Sequence, residues 1–162
     1  MNISRNDNRT YRALTLDNGL KVLLVQDKDS TKAAASMAVN AGHFDDPVDR
    51  QGLAHFLEHM LFLGTDQFPE SGGFGNFVSQ SGGNTNAWTG TEHTCYFFDI
   101  NNQEFAQALS QFSRFFIAPS LNPGETEKER NAIDAEFKLK IKDDGRRIYQ
   151  AHKETVNPAH PF

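Results

Sequence analysis

Gly52-Leu53-Ala54-His55-Phe56-Leu57-Glu58-His59-Met60-Leu61-Phe62-Leu63-Gly64-Thr65 mixes apolar and ionisable residues at a helical period. Leu53, Phe56, Leu57, Met60 and Leu61 recur at spacings of three and four, which predicts a helix from about Asp49 to Phe62. Gly64-Thr65 supplies its stop signal. On that helix His55 and His59 stand at i and i+4, so both imidazoles leave one face, a turn apart. Glu58 follows His55 by three and lies on a nearby face. Phe56, Leu57, Met60 and Leu61 are expected to anchor the rest of the helix in the core. Burying two histidines and a glutamate among them costs free energy unless they find partners.

Working outward, the chain reads as strands followed by helices. Residues 12 to 26 form a strand pair around the turn Asp17-Asn18-Gly19. Ala33 to Ala41 reads as a strand ending at Gly42, and Asp45-Asp46-Pro47 breaks the pattern before the histidine helix. Beyond it come a polar loop over 66–73 and a short helix from about Gly73 to Ser79. Gly82-Gly83-Asn84 opens a hairpin with strands near Thr85 to Thr89 and His93 to Ile100. A second helix is expected from about Gln103 to Ile117, with Phe105, Leu109, Phe112 and Phe116 on its apolar stripe. Pro119 to Gly124 reads as a loop, and a third helix from about Glu125 to Lys142. This order implies an α+β domain, a mostly antiparallel sheet packed with helices, rather than a doubly wound parallel sheet.

Length fits one domain over residues 1–162 with a real core. Fourteen Phe against one Trp and three Tyr suggest that phenylalanine fills it. The formal charge of −5, with no Lys/Arg cluster, argues against a nucleic-acid or anionic-membrane partner. Lys138, Lys140 and Lys142 precede Asp143 and Asp144 and read as a solvated helix face. A single cysteine, Cys95, excludes an intrachain disulfide and reads as a packed strand thiol. No run reaches the ~18 apolar residues of a membrane span. The start, Met1 to Arg9, has no apolar signal core, which points to the cytoplasm, although a mature periplasmic form would look the same.

His55-Phe56-Leu57-Glu58-His59 is H-x-x-E-H, the reverse of the commoner zinc-peptidase H-E-x-x-H. Two imidazoles one turn apart can bind one tetrahedral Zn²⁺, and Glu58 can reach a water on the metal. A catalytic zinc takes a third protein ligand, and the third helix offers Glu129 and Glu136, seven residues apart and so on one face. One of that pair suits a ligand and the other a carboxylate that orients a histidine. On spacing alone the histidines also fit core residues satisfied by ordinary hydrogen bonds, and the glutamates fit a solvated face. His43, His93, His152 and His160 lack ligand spacing and read as structural or exposed.

The run Gly52 to Thr65 resembles the active-site helix of the pitrilysin/insulin-degrading enzyme (insulinase, M16) family. Gly83-Asn84-Thr85-Asn86-Ala87-Trp88-Thr89, Thr91-Glu92-His93-Thr94, Phe112 to Pro119 and Glu129 to Glu136 resemble it in the same order and spacing. Asn157-Pro158-Ala159-His160-Pro161-Phe162 is similar to a segment beyond which that family continues. The resemblance implies a metallohydrolase domain of the pitrilysin/processing-peptidase type and a zinc metalloendopeptidase. It makes His55, His59 and Glu136 ligands of one Zn²⁺, Glu58 the general base and Glu129 a supporting carboxylate. Asn86-Ala87-Trp88 corresponds to the edge strand on which the family aligns its peptide substrate.

Family members are much longer, with several homologous domains around a chamber, so this chain is expected to be an incomplete N-terminal catalytic domain whose partners include the remaining domains. No oxyanion donor stands out, so weak or absent turnover is expected of the chain alone. Apolar surface left uncovered would favour homo-oligomers. A non-catalytic peptide-binding or structural relative is the rival reading, as is a zinc-binding fragment without turnover. The intact His55, Glu58, His59 and Glu136 speak against the first.

Overall fold

In the computed structural model, which describes residues 3–162, the chain divides into two compact units, Met1–Lys32 and Ala33–Phe162. The first two residues of the N-terminal run therefore lie outside the described residues.

The first unit is a hairpin of β1 (Thr10–Thr15) and β2 (Lys21–Gln26), antiparallel with Thr15 opposite Lys21. The expected turn closes it. Leu16 accepts from Gly19 N at 2.8 Å, and Asn18 Oδ1 accepts from Leu20 N at 3.1 Å. Gly19 sits at φ +86°, a conformation that a Cβ would strain.

The second unit is built on a three-stranded sheet of order β3-β5-β4, comprising β3 (Lys32–Val39), β4 (Asn84–Thr89) and β5 (Thr94–Asn101). β4 and β5 are antiparallel, with Trp88 opposite Cys95. The central strand β5 buries Thr94, Tyr96, Phe98 and Ile100, the alternate residues of one face. Against that face pack α1 (Leu53–Leu61), α2 (Gly73–Gln80) and α3 (Phe105–Arg114), contributing Leu61, Phe74, Val78, Ala108 and Phe112, with Phe115 just beyond α3. Phenylalanine dominates this core, as its abundance suggested. Phe98 and Phe112 meet edge to face at 5.2 Å, and so do Phe74 and Phe98 at 5.5 Å.

Several boundaries differ from the sequence expectation. α1 begins at Leu53, not Asp49, because the backbone turns at Gly52 (φ +91°) and the Asp46 carboxylate accepts from Gly52 N and Ala54 N at 2.7 and 2.8 Å. Leu57 does not anchor the helix: Met60 and Leu61 are buried, whereas Leu53 and Leu57 are exposed. On α3 the buried residues are Ala108, Gln111 and Phe112, Phe115 is buried just beyond its end, and Leu109 is exposed. The stripe there advances by three and four from Phe105 through the small Ala108, which a search for large apolar residues passes over. α3 also ends early, because Phe115, Phe116 and Ile117 donate three residues back, to Phe112, Ser113 and Arg114.

α4 (Pro123–Lys140) starts inside the expected loop. Pro123 occupies its first turn and Asn122 Oδ1 accepts from Gly124 N at 2.9 Å, so the residues that look like loop are a helix start. α5 (Asp144–Lys153), capped by Asp143 on Arg146 N, was not expected. Neither helix buries a residue. Among the described residues no helix is long and apolar enough to cross a membrane.

Candidate metal centre

α1 is held at both ends. Asp46 satisfies amides of its first turn, and Leu61 seats its last turn in the phenylalanine core. Between these anchors His55 and His59 project side by side, their rings edge to face with centroids 4.8 Å apart. Glu58, one residue before His59, turns inward and is 8% exposed. Its Oε2 accepts a hydrogen bond from the Thr89 hydroxyl on β4.

α4 brings the two distant glutamates to this pair. Glu136 Oε2 stands 3.6 Å from His55 Nε2, and Glu129 Oε2 lies 3.2 Å from His59 Nδ1. The later residue of one helix faces the earlier residue of the other, so α4 runs antiparallel along α1. A carboxylate can only accept from an imidazole, so Glu129 holds the proton on His59 Nδ1 and leaves Nε2 with its lone pair. Glu129 is well covered, its side chain 14% exposed, and Glu136 is open at 46%.

One ligand atom from each of His55, His59 and Glu136 lies within 4.8 Å of the others. Zinc bound tetrahedrally at about 2.1 Å separates its ligand atoms by about 3.4 Å. The 3.6 Å between His55 Nε2 and Glu136 Oε2 is close to that spacing. Two imidazoles and a carboxylate are also the donor set of a catalytic zinc with an open position. The residues fit the metal.

The remaining groups sit around this centre. Tyr96 on β5 is 3% exposed, and burial, with the charge of Glu58 adding to it, pushes its phenol well above the ordinary range. Burial likewise raises the Cys95 thiol, keeping it protonated and inert. His93 stacks edge-on to Trp88 at 4.6 Å, and His43 lies 3.7 Å from Asp46. His152 and His160 rest against Phe162 and Phe44. None of these four joins the cluster of His55, His59 and Glu136.

Asn86, Ala87 and Trp88 lie on β4, which is an edge of the sheet among the described residues. Gly90 N donates to His93 O at 2.8 Å, and the alternation of an antiparallel ladder then pairs Trp88 and Asn86 with β5. The main-chain groups of Ala87 and Thr89 are left facing the open edge. In keeping with this, Ala87 N donates at 2.9 Å to the Asn86 side chain, outside the ladder. Two residues escaped sequence reasoning, Thr89 and Asp46. Thr89 is 31 residues from Glu58, too far for any spacing rule. An aspartate shortly before a helix is a cap signal, but Asp46 lies six residues before Gly52 and reads as part of a loop.

A model of the family described as "Insulinase (Peptidase family M16)" matches residues 21–159. The A-factor-processing enzyme of Saccharomyces cerevisiae is 46% identical over 156 residues, covering 96% of this chain and 15% of that protein. The insulin-degrading enzyme of Homo sapiens is 42% identical over 159 residues, 98% of this chain and 16% of that one. The crystal structure of pitrilysin superposes with a TM-score of 0.93 at 37% identity, over 98% of this chain and 17% of that chain. This chain thus spans about a sixth of the length of these relatives. It belongs to the insulinase family of peptidases, family M16.

Proposed function

We propose that these residues form the zinc-binding part of a metalloendopeptidase that hydrolyses peptides or small unfolded proteins, and that residues 1–162 are the N-terminal portion of its catalytic domain. The observation that carries this reading is the convergence of His55, His59 and Glu136 from two helices, with Glu58 buried beside them. His55 Nε2, His59 Nε2 and a Glu136 oxygen would hold one Zn²⁺. When bound, zinc supplies Lewis-acid polarisation of a carbonyl and a water of lowered pKa.

The chain's own residues do the rest. Glu129 orients His59 through Nδ1. Glu58 takes the proton of the attacking water and delivers it to the leaving amine nitrogen, so no covalent intermediate forms and Cys95 has no part. The open edge of β4 at Ala87 takes the peptide as an added strand. Main-chain bonding of this kind tolerates varied sequences. Groups that stabilise the developing oxyanion come from the remaining domains, so the 162 residues alone turn over weakly or not at all.

The test uses the full-length gene product that contains this chain. The parent should bind one zinc and cleave an unstructured peptide. Glu58→Gln should keep the zinc and lose roughly 10²–10⁴-fold in kcat, and His55→Ala should lose the zinc. Retention of zinc by His55→Ala and His59→Ala alike would overturn the ligand assignment.

A further inference from the structure

We propose that Thr89 is a positioning residue for the peptidase reaction, its hydroxyl holding the Glu58 carboxylate in the orientation that receives the proton. This inference rests on the reading of Glu58 as the base. A glutamate on a helix can rotate its carboxylate plane freely, yet proton transfer needs the acceptor within hydrogen-bond reach of the water. Burial removes most of the water that would otherwise solvate Glu58. In its place the Thr89 Oγ–H donates to Oε2, which engages one oxygen and leaves Oε1 to take the proton.

The hydroxyl is itself on a rigid element. Thr89 is the last residue of β4 and pairs with Thr94 on β5, and the Thr94 hydroxyl donates to Ala41 O at 2.8 Å. Ladder parity turns the side chain of Thr89 inward, with Thr85 and Ala87, while its main-chain groups face the open edge. One residue therefore borders the strand-adding edge and grips the base.

The experiment compares Thr89→Val, Thr89→Ser and Glu58→Gln in the full-length zinc enzyme. Valine keeps the shape and the strand preference of threonine and removes the donor. With it, kcat should fall roughly 10- to 100-fold, while KM stays within about twofold and zinc stoichiometry is unchanged. Thr89→Ser restores the donor and should recover kcat to within about threefold of the parent. If Thr89→Val fails to fold, Thr89→Ala makes the same comparison with serine. Parental kcat in the valine or alanine variant, with Glu58→Gln inactive, would overturn the role of Thr89 and leave Glu58 as the base. A serine variant as slow as valine would also overturn it, because packing rather than the hydroxyl would then matter. A fully active Glu58→Gln would instead overturn the base assignment on which the role depends.

Discussion

Replacing Asp46 with alanine should loosen the first turn of α1 and, through it, the metal centre. The Asp46 side chain is 2% exposed, and its two oxygens accept from Gly52 N and Ala54 N at 2.7 and 2.8 Å. These amides belong to the helix start, where no backbone acceptor is available. A hydrogen bond to a charged group contributes roughly 1.5–3 kcal/mol, and loss of a helix cap costs about 0.5–2 kcal/mol. Both bonds come from one carboxylate, so their losses overlap, and about 2–4 kcal/mol is the expected cost. At a factor of ten per 1.4 kcal/mol, amides in residues 52–56 should exchange roughly 30- to 700-fold faster with deuterium. His55 follows Ala54 directly, so zinc affinity, measured by chelator competition, should fall roughly tenfold. Asp46→Asn keeps one acceptor and turns an amide group toward the other N–H, and should lie between parent and alanine. Exchange within about threefold of the parent, together with unchanged zinc affinity, would show that the first turn stands without Asp46.

Two further outcomes follow from the same geometry. Glu129→Gln keeps the shape of the group behind His59 and removes its charge, so zinc affinity should fall by roughly 10- to 100-fold without being lost; complete loss of the metal, measured by elemental analysis, would make Glu129 a ligand. Tyr96 holds its proton more tightly folded than unfolded, first because it is buried and then because Glu58 is near. Its contribution to stability is therefore fully present below about pH 10, the unfolded value, and is lost as pH rises toward the higher folded value. Urea unfolding of the parent should weaken above about pH 10 more steeply than that of Tyr96→Phe, and equal slopes would refute the assignment.

Much of the centre could be read without coordinates because its geometry is local. His55 and His59 share a face for the same reason that any i, i+4 pair on a helix does, and Leu53 to Leu61 repeats at that period. The hairpin turn at Asp17-Asn18-Gly19 and the strands on either side of residue 91 are likewise local matters of backbone preference. So was the α+β class, which follows from the order of those elements. Sequence reasoning went astray where a local signal was weak or had two meanings. Pro123-Gly124 punctuates a loop as well as it starts a helix, and Ala108 is too small to mark a stripe. α5 buries none of its residues, so no clean apolar stripe marked it in advance.

What spacing could not supply is the pairing between elements. That Glu129 meets His59, 70 residues away, while Glu136 meets His55 follows from the antiparallel lie of α4 along α1. That Thr89 meets Glu58 depends on the packing of α1 against the sheet. Helical and strand periods constrain residues a few positions apart, because the backbone between them is one rigid element. Across loops the chain is flexible, and only the packing of one element on another selects which side chains come within reach of each other. The residue types at the centre were determined by sequence, and their partners by tertiary packing.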